Sequence, residues 1–288
     1  MYTIKTPATS ANVGPGFDCL GLALELNNVF HVKLADTDIL ENVEERFNNQ
    51  DNLFLQSYRR GCEKIGVSDH IHSIFQCNIP VSRGLGSSSS LIVGGLIAAS
   101  VLHNHALTKQ EVFQLAAEME GHPDNVAPCI FGGLTASSVS EEGFESVSLP
   151  VHLDWKFTVF IPDFEVSTEK ARGILPQGYP RSEAAANTAH AIMMLKGLAD
   201  GNERLIRHGK KDCIHEPYRR TLLPFFDSLQ NLFETDTDGI LLISGSGSTC
   251  IGISKKYLSE QAKQKITGLE GSISIRELPL CLKGASVL

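Results

Sequence analysis

Residues Ile79-Pro80-Val81-Ser82-Arg83-Gly84-Leu85-Gly86-Ser87-Ser88-Ser89-Ser90 bring together two glycines, four consecutive serines and a following apolar run. Glycines let a backbone turn tightly and approach a ligand with no Cβ in the way. A helix over about Ser87–Leu102 would aim its unpaired N–H groups and the positive end of its dipole at this loop. That is a geometry for phosphate, with serine hydroxyls as extra donors and as a metal ligand. No Gly-Lys-Ser/Thr follows at P-loop spacing, and no third glycine completes Gly-x-Gly-x-x-Gly. A glycine turn leading into a serine-capped helix accounts for the same residues without a ligand.

Two further features bear on that choice. Thr108 and Glu111 have capping-box spacing, and Val112, Leu115, Ala116 and Met119 repeat at helical intervals. This predicts an amphipathic helix ending near Gly121, with Glu118 and Glu120 off its apolar face. If the helix packs beside the serine loop, one carboxylate would hold Mg²⁺ against phosphates; taken alone, each is a solvated surface residue. A second glycine-serine run, Gly245-Ser246-Gly247-Ser248, separates two strand-like segments, where a plain hairpin also uses glycine.

The elements that must position these residues come from an acidic chain of 288 residues, with 25 Lys and Arg against 33 Asp and Glu and a formal charge of −8. That balance argues against a nucleic-acid surface, which needs many cationic contacts to phosphate. It leaves room for a small anionic substrate in a local pocket. Seven cysteines, none in a C-x-x-C arrangement, fit a reducing compartment better than a disulfide framework or a zinc site. The residues from Met1 to Ser10 lack a signal-peptide pattern. Leu91–Leu102, the longest mostly apolar stretch, is short of the roughly 20 residues a membrane crossing needs. The expectation is a cytoplasmic protein without a membrane or nucleic-acid partner.

Strands are predicted near Tyr2–Thr6, Val29–Leu34 and Ile71–Cys77, with a Gly/Pro/Ser/Asn-rich loop from Pro7 to Gly16. The polar, turn-rich segment Glu141–Pro150 is read as a boundary between domains 1–150 and 151–288. Beyond it come a strand at Trp155–Ile161, helices over much of Ser182–Leu232, strands at Gly239–Ser244 and Thr249–Ser254, a helix near Leu258–Thr267 and a strand near Ser272–Leu278. That order is a split βαβ, ferredoxin-like unit with extra helices in its first crossover, and the whole chain reads as α+β.

Pro80–Ser89 resembles the phosphate-binding motif of the GHMP kinases. Pro7-Ala8-Thr9-Ser10-Ala11-Asn12-Val13-Gly14-Pro15-Gly16-Phe17-Asp18 and Ser244–Thr249 are similar to the first and third motifs of that superfamily. The first motif, Gly121-His122-Pro123-Asp124-Asn125-Val126-Ala127-Pro128 and Glu216-Pro217-Tyr218-Arg219 resemble its homoserine kinase branch. The resemblance implies a two-domain GHMP fold, N-terminal ribosomal protein S5 domain 2-like and C-terminal ferredoxin-like. It implies transfer of the γ-phosphate of ATP, with Mg²⁺, to the side-chain hydroxyl of L-homoserine in threonine biosynthesis, and a homodimer.

By the same resemblance, Ile79 to Ser89 with Gly245 and Gly247 bind the nucleotide, and Ser87 with Glu118 binds the metal, Glu120 being the rival. Asn12 and Asp18 fall in the substrate pocket, where a carboxylate pairs with an ammonium and an amide orients a hydroxyl. As residues beside Gly and Pro, they serve equally as turn-formers. Arg172 and Arg219 match substrate-binding arginines, with Arg220 adjacent to the second; each is otherwise a surface ion-pair partner. Thr168 supplies a hydroxyl near the reacting oxygen, and His122 matches a substrate-site histidine. Asn125 occupies a position where several relatives carry a catalytic aspartate, and an amide is not a general base. Other readings are a GHMP kinase for mevalonate or a sugar, and a nucleotide-binding sensor without turnover. Asn52, Tyr58 and the loop before Ile71 are candidate neighbours of adenine.

Overall fold

The computed structural model describes residues 1–288. β1 (Tyr2–Ala11) and β2 (Leu20–Ala35) form a long antiparallel pair. β1 continues past the expected stop at Thr6 because Pro7 falls where the register shifts, with Pro7 opposite Asn27 and Ala8 opposite Leu24. A bulge dispenses with one ladder donor, so a residue without N–H fits there. β3 (Ile39–Glu41), α1 (Leu53–Ile65) and β4 (His70–Gln76) follow, and β4 pairs with the second half of β2.

α2 (Ser87–Leu102) starts and stops where the sequence predicts, and it is buried on nearly every side. A helix apolar all round belongs at the centre of a domain. α3 (Lys109–Glu120) begins with the expected capping box: Glu111 N–H donates to Thr108 Oγ1 at 3.2 Å, and Thr108 N–H donates to Glu111 Oε2 at 2.8 Å. Such a cap is worth about 1 kcal/mol. The short α4 (Val126–Phe131) and the hairpin of β5 (Leu134–Ser140) and β6 (Gly143–Leu149) complete the first half. The segment read as a polar boundary is therefore mostly the exposed strand β6, which pairs only with β5.

The second half runs β7 (Lys156–Ile161), α5 (Thr168–Gly173), α6 (Arg181–Asp200), α7 (Glu203–Gly209), α8 (Glu216–Arg219), α9 (Phe226–Thr237), β8 (Ile240–Ile243), β9 (Cys250–Ser254), α10 (Glu260–Thr267) and β10 (Ser274–Leu278). Its four strands lie in the order β10-β7-β9-β8, all antiparallel, as a split βαβ unit requires.

Two observations modify the expected division at residue 150. After β10 the chain returns to the first sheet, where β11 (Ser286–Val287) pairs with β1 at Ile4 and Lys5. The tail from residue 279 thus packs on the first domain. The halves also share one apolar cluster, in which Leu22, Leu24 and Leu85 join Phe157, Val159, Met194, Leu242 and Ile251. Burial across the junction fixes the relative positions of the loops at its edge. No helix is long and apolar enough to cross a membrane.

Candidate active site

A cleft of about 550 Å³ opens at that edge. Gly84 and Gly86 adopt φ of +71° and +66°, and a Cβ on Gly84 would lie 2.2 Å from the Ser244 carbonyl oxygen. Buried Asn28 pins the approach to the loop: its Oδ1 accepts from Asn78 N and Ile79 N at 2.8 and 3.0 Å, and its Nδ2 donates to Ser90 Oγ at 2.7 Å. Gly86, at the N-cap of α2, offers no side chain to the first-turn amides, which are left for a ligand. Ile79, Val81, Ser82, Arg83, Gly84, Gly86, Ser87 and Ser88 line the cleft.

Four predicted nucleotide residues stand behind the lining rather than in it. Leu85 is in the shared core, Ser89 is fully buried beneath the loop, and Gly247 is buried behind Gly245. Pro80 is half-buried and does not line the cleft. Arg83 spends its guanidinium on the second half, donating to Pro162 O and Asp163 O at 3.2 and 2.9 Å and pairing with Glu165.

Of the two glutamates, the structure brings Glu120 and not Glu118 to the cleft. Glu118 is exposed and faces Arg60 at 3.6 Å on the outer side of α3. Glu120, two residues on and so rotated about 200° around the helix, lies in the cleft with Oε2 accepting from Ser88 Oγ at 2.9 Å. Burial raises the Glu120 carboxyl above its usual range, partly offset by the Ser88 hydrogen bond. The helix ends at Gly121 immediately afterwards, so the short turn to His122 delivers Glu120 rather than Glu118 to the loop.

At the other end, Arg172 makes a bidentate pair with Asp18, at 2.9 and 2.8 Å. The pair holds the Arg172 guanidinium more firmly protonated. Arg219 is 2% exposed; its Nε donates to Ala171 O at 3.2 Å and its Nη1 to Gly245 O at 2.9 Å. Burial, then the neighbouring Arg172, draw its pKa down. Arg220, by contrast, is exposed and pairs with Asp227. Asn12 uses both ends of its amide internally, with Nδ2 donating to Gly245 O at 3.0 Å and Oδ1 accepting from Asp18 N at 2.9 Å. It shapes the pocket and is 4% exposed. Asn12 and Asp18 have φ of +70° and +53°, a backbone region these two residue types tolerate best.

Sequence reasoning missed what lies beneath the two arginines. The Phe17 ring sits 5.6 Å from the Arg172 guanidinium and 5.1 Å from that of Arg219, and stacks on His215 at 5.5 Å. His215 is fully buried, which lowers its pKa, and because a carbonyl oxygen only accepts, Nε2–H donates to Gly14 O at 2.9 Å. Asn187 donates to Pro15 O at 2.9 Å. The local sign of it in the sequence is an aromatic residue directly after Gly14-Pro15-Gly16; the two arginines reach it only through the fold.

His122 Nδ1 and Asp124 Oδ1 are 2.7 Å apart, and that hydrogen bond raises the histidine pKa. Both line the cleft with Asn125, whose Oδ1 accepts from Thr9 Oγ1 at 2.7 Å. Thr168, at the start of α5, lies 3.5 Å from Ser246 Oγ. Asn12, Asp18, His122, Asn125, Thr168, Arg172 and Arg219 therefore converge on one cavity, as the sequence predicts.

The Ser244–Thr249 motif works chiefly as a buttress. Ser244 Oγ bonds Gly84 O at 2.6 Å and Ser10 Oγ at 2.8 Å, while Thr249 N–H donates to Arg83 O at 3.2 Å. Glu216, on the Arg219 helix, accepts from Ile243 N–H at 2.7 Å just before this loop. Burial pushes its carboxyl up to about 8. Because the folded-state value exceeds the unfolded one, the stabilisation is complete below about pH 4.5 and is lost as pH rises through about 8. Glu216→Gln is expected to raise Tm at pH 8 by roughly 3 °C or more and to change it little at pH 4.5. Parallel thermal melts at the two pH values check this; a uniform fall in Tm contradicts it.

The opposite end of the cleft is lined by residues within 42–53 with Phe75, Cys77 and Leu91; of these, Asn52 alone is expected near a ligand, and the acidic run up to Glu45 reads in the sequence as a solvated face. Asn52 is the N-cap of α1, accepting from Phe54 N and Leu55 N. Tyr58 is wholly in the core, and the loop before Ile71 does not reach the cleft.

The family profile for the GHMP kinases N terminal domain matches residues 52–133. A homoserine kinase of Clostridium botulinum (strain Okra / Type B1) is 37% identical over 100% of this chain and 98% of its own length. One of Nostoc punctiforme is 36% identical over 98% of this chain and 97% of its own. The crystal structure of homoserine kinase from Cytophaga hutchinsonii superposes with a TM-score of 0.87 at 28% identity, covering 100% of this chain and 97% of that one. Full-length similarity of sequence and fold, over a cleft that gathers the phosphate loop with Asp18, Arg172 and Arg219, places the chain in the homoserine kinase family of the GHMP kinases.

Proposed function

We propose that the protein transfers the γ-phosphoryl group of ATP to the side-chain hydroxyl of L-homoserine, giving O-phospho-L-homoserine for threonine biosynthesis. The observation that carries this reading is the pairing of Asp18 with Arg172, beside Arg219, at one end of a cleft whose wall is the phosphate loop. Opposed charges held this close match a zwitterion. The substrate carboxylate takes the two guanidinium groups, and its ammonium takes Asp18, so each charge released from the internal pair is re-partnered. The Phe17 ring lies 5.6 and 5.1 Å from the two guanidinium groups and packs beneath them.

The α2 amides and the serine hydroxyls hold the phosphates, and the base and ribose lie along residues 42–53. Mg²⁺ fits the donor set here, since Glu120, Ser87 and Ser88 offer hard oxygen ligands beside the amides that would take phosphate. When bound, the ion neutralises phosphate charge. Thr168 directs the acceptor hydroxyl, and His122, whose hydrogen bond to Asp124 favours its charged form, lies on the same wall. Asn125 has no basic site, so alignment and charge stabilisation carry the step, and the hydroxyl proton passes to a phosphoryl oxygen or water.

Turnover with substrate fragments tests the proposal. 4-Hydroxybutyrate lacks the ammonium and 3-aminopropan-1-ol lacks the carboxylate, and each is expected to show kcat/KM at least about 10³-fold below L-homoserine. Mevalonate and galactose should not be phosphorylated. Comparable values for homoserine and either fragment overturn the assignment of Asp18 and the two arginines.

A further inference from the structure

We infer that Thr9 is a positioning residue that fixes the Asn125 side-chain amide with its NH₂ group toward the reacting phosphoryl. The inference rests on the kinase reading above and adds a residue that contacts neither substrate. Thr9 lies in β1, wholly buried, and its backbone N–H donates to Leu85 O of the phosphate loop at 3.1 Å. Its hydroxyl has one hydrogen-bond partner, Asn125 at 2.7 Å. The other side of the hydroxyl is closed by Gly86, where a Cβ would lie 1.9 Å from Thr9 Oγ1. So Gly86 serves the phosphate loop twice, through its positive φ and by leaving Thr9 room to reach Asn125.

The Thr9 hydroxyl dictates which end of the Asn125 amide faces it. A buried hydroxyl must place its own hydrogen, and the sole acceptor in reach is a side-chain atom of Asn125. If the amide were flipped, Nδ2 would donate to Thr9 Oγ1 and the hydroxyl hydrogen would be left unsatisfied, costing the desolvation of a buried donor. Oδ1 therefore faces Thr9, and Nδ2, which has no protein partner, is left for the cleft that Asn125 lines. A donor aimed there stabilises negative charge on the transferring group, whereas an acceptor would oppose it. The strand that carries Thr9 thus ties the phosphate loop and the first turn of α4 into one rigid frame.

A double-mutant cycle between Thr9 and Asn125 tests this, with L-homoserine and MgATP as substrates. Thr9→Val keeps the shape and removes the hydroxyl; kcat is expected to fall about tenfold, with KM for both substrates within about twofold. Thr9→Ser should restore most of the turnover. In an Asn125→Ala background, Thr9→Val should have no further effect on kcat, since there is no amide left to orient. Thr9→Ala replaces Thr9→Val in the cycle if the valine variant does not fold. An equal loss of kcat with and without the Asn125 amide, an unchanged kcat, or Thr9→Ser as impaired as Thr9→Val each overturns the inference. The parent enzyme separates the two levels: no turnover of homoserine defeats the kinase reading, whereas turnover without coupling defeats only the role of Thr9.

Discussion

Glu120→Gln is expected to lower kcat at least about 10³-fold, while Glu118→Ala stays within about twofold of the parent. The two glutamates are two residues apart on one helix, and only their direction separates them. Glu120 lines the cleft and accepts from Ser88 Oγ, a serine of the phosphate loop. Glu118 faces Arg60 at the surface, where an exposed ion pair contributes little. Glutamine keeps the volume and an acceptor for Ser88 but removes the anionic charge that a divalent cation requires. Steady-state rates across a Mg²⁺ titration distinguish the two positions. Equal losses for both variants, or a Glu120→Gln enzyme that regains full kcat at ordinary Mg²⁺, contradict the assignment.

The second large effect is expected at Arg219. Arg219→Lys should lower kcat/KM for homoserine by about 10²–10³-fold, whereas Arg220→Ala should change it by less than about threefold. Arg219 is buried and uses two nitrogens to hold Ala171 O and Gly245 O, which orders its fork toward the cleft. Lysine has a single nitrogen on a flexible stem and lacks the planar face that Phe17 supports. It would serve either the backbone carbonyls or the substrate carboxylate. Arg220 points to solvent beside Asp227 and has no part in this arrangement. Initial rates over a homoserine series at saturating ATP give the comparison; a large effect at Arg220 with a small one at Arg219 contradicts it.

Much of this architecture is legible in the residues themselves. The α3 capping box is visible because Thr108 and Glu111 are local partners, and α2 is bounded by Gly86 and by the end of an apolar run. The order of elements in the second half suffices for its sheet because antiparallel neighbours follow from a split βαβ connection. What is not legible depends on direction or on distant partners. Glu118 and Glu120 are alike in composition, and choosing between them needs the rotation of α3 against the phosphate loop. β1 passes through Pro7 because a register shift against β2 falls there, and sequence carries no mark of that partner. The Ser244–Thr249 loop looks like a ligand loop, yet its hydrogen bonds run to the protein itself, to Ser10, Ala11, Asn12, Arg83, Gly84, Phe164 and Arg219 among others. The return of residues 279–288 to the first sheet likewise depends on a pairing with β1 that the tail alone does not specify.

Phosphorus-31 NMR of the product formed from MgATP and L-homoserine tests the central claim most directly. The account predicts ADP and one phosphomonoester in equal amounts, with the ester phosphorus coupled to the side-chain methylene protons of the amino acid. ATP left intact, ATP split only to inorganic phosphate, or phosphate carried on the carboxylate as an acyl phosphate would contradict it.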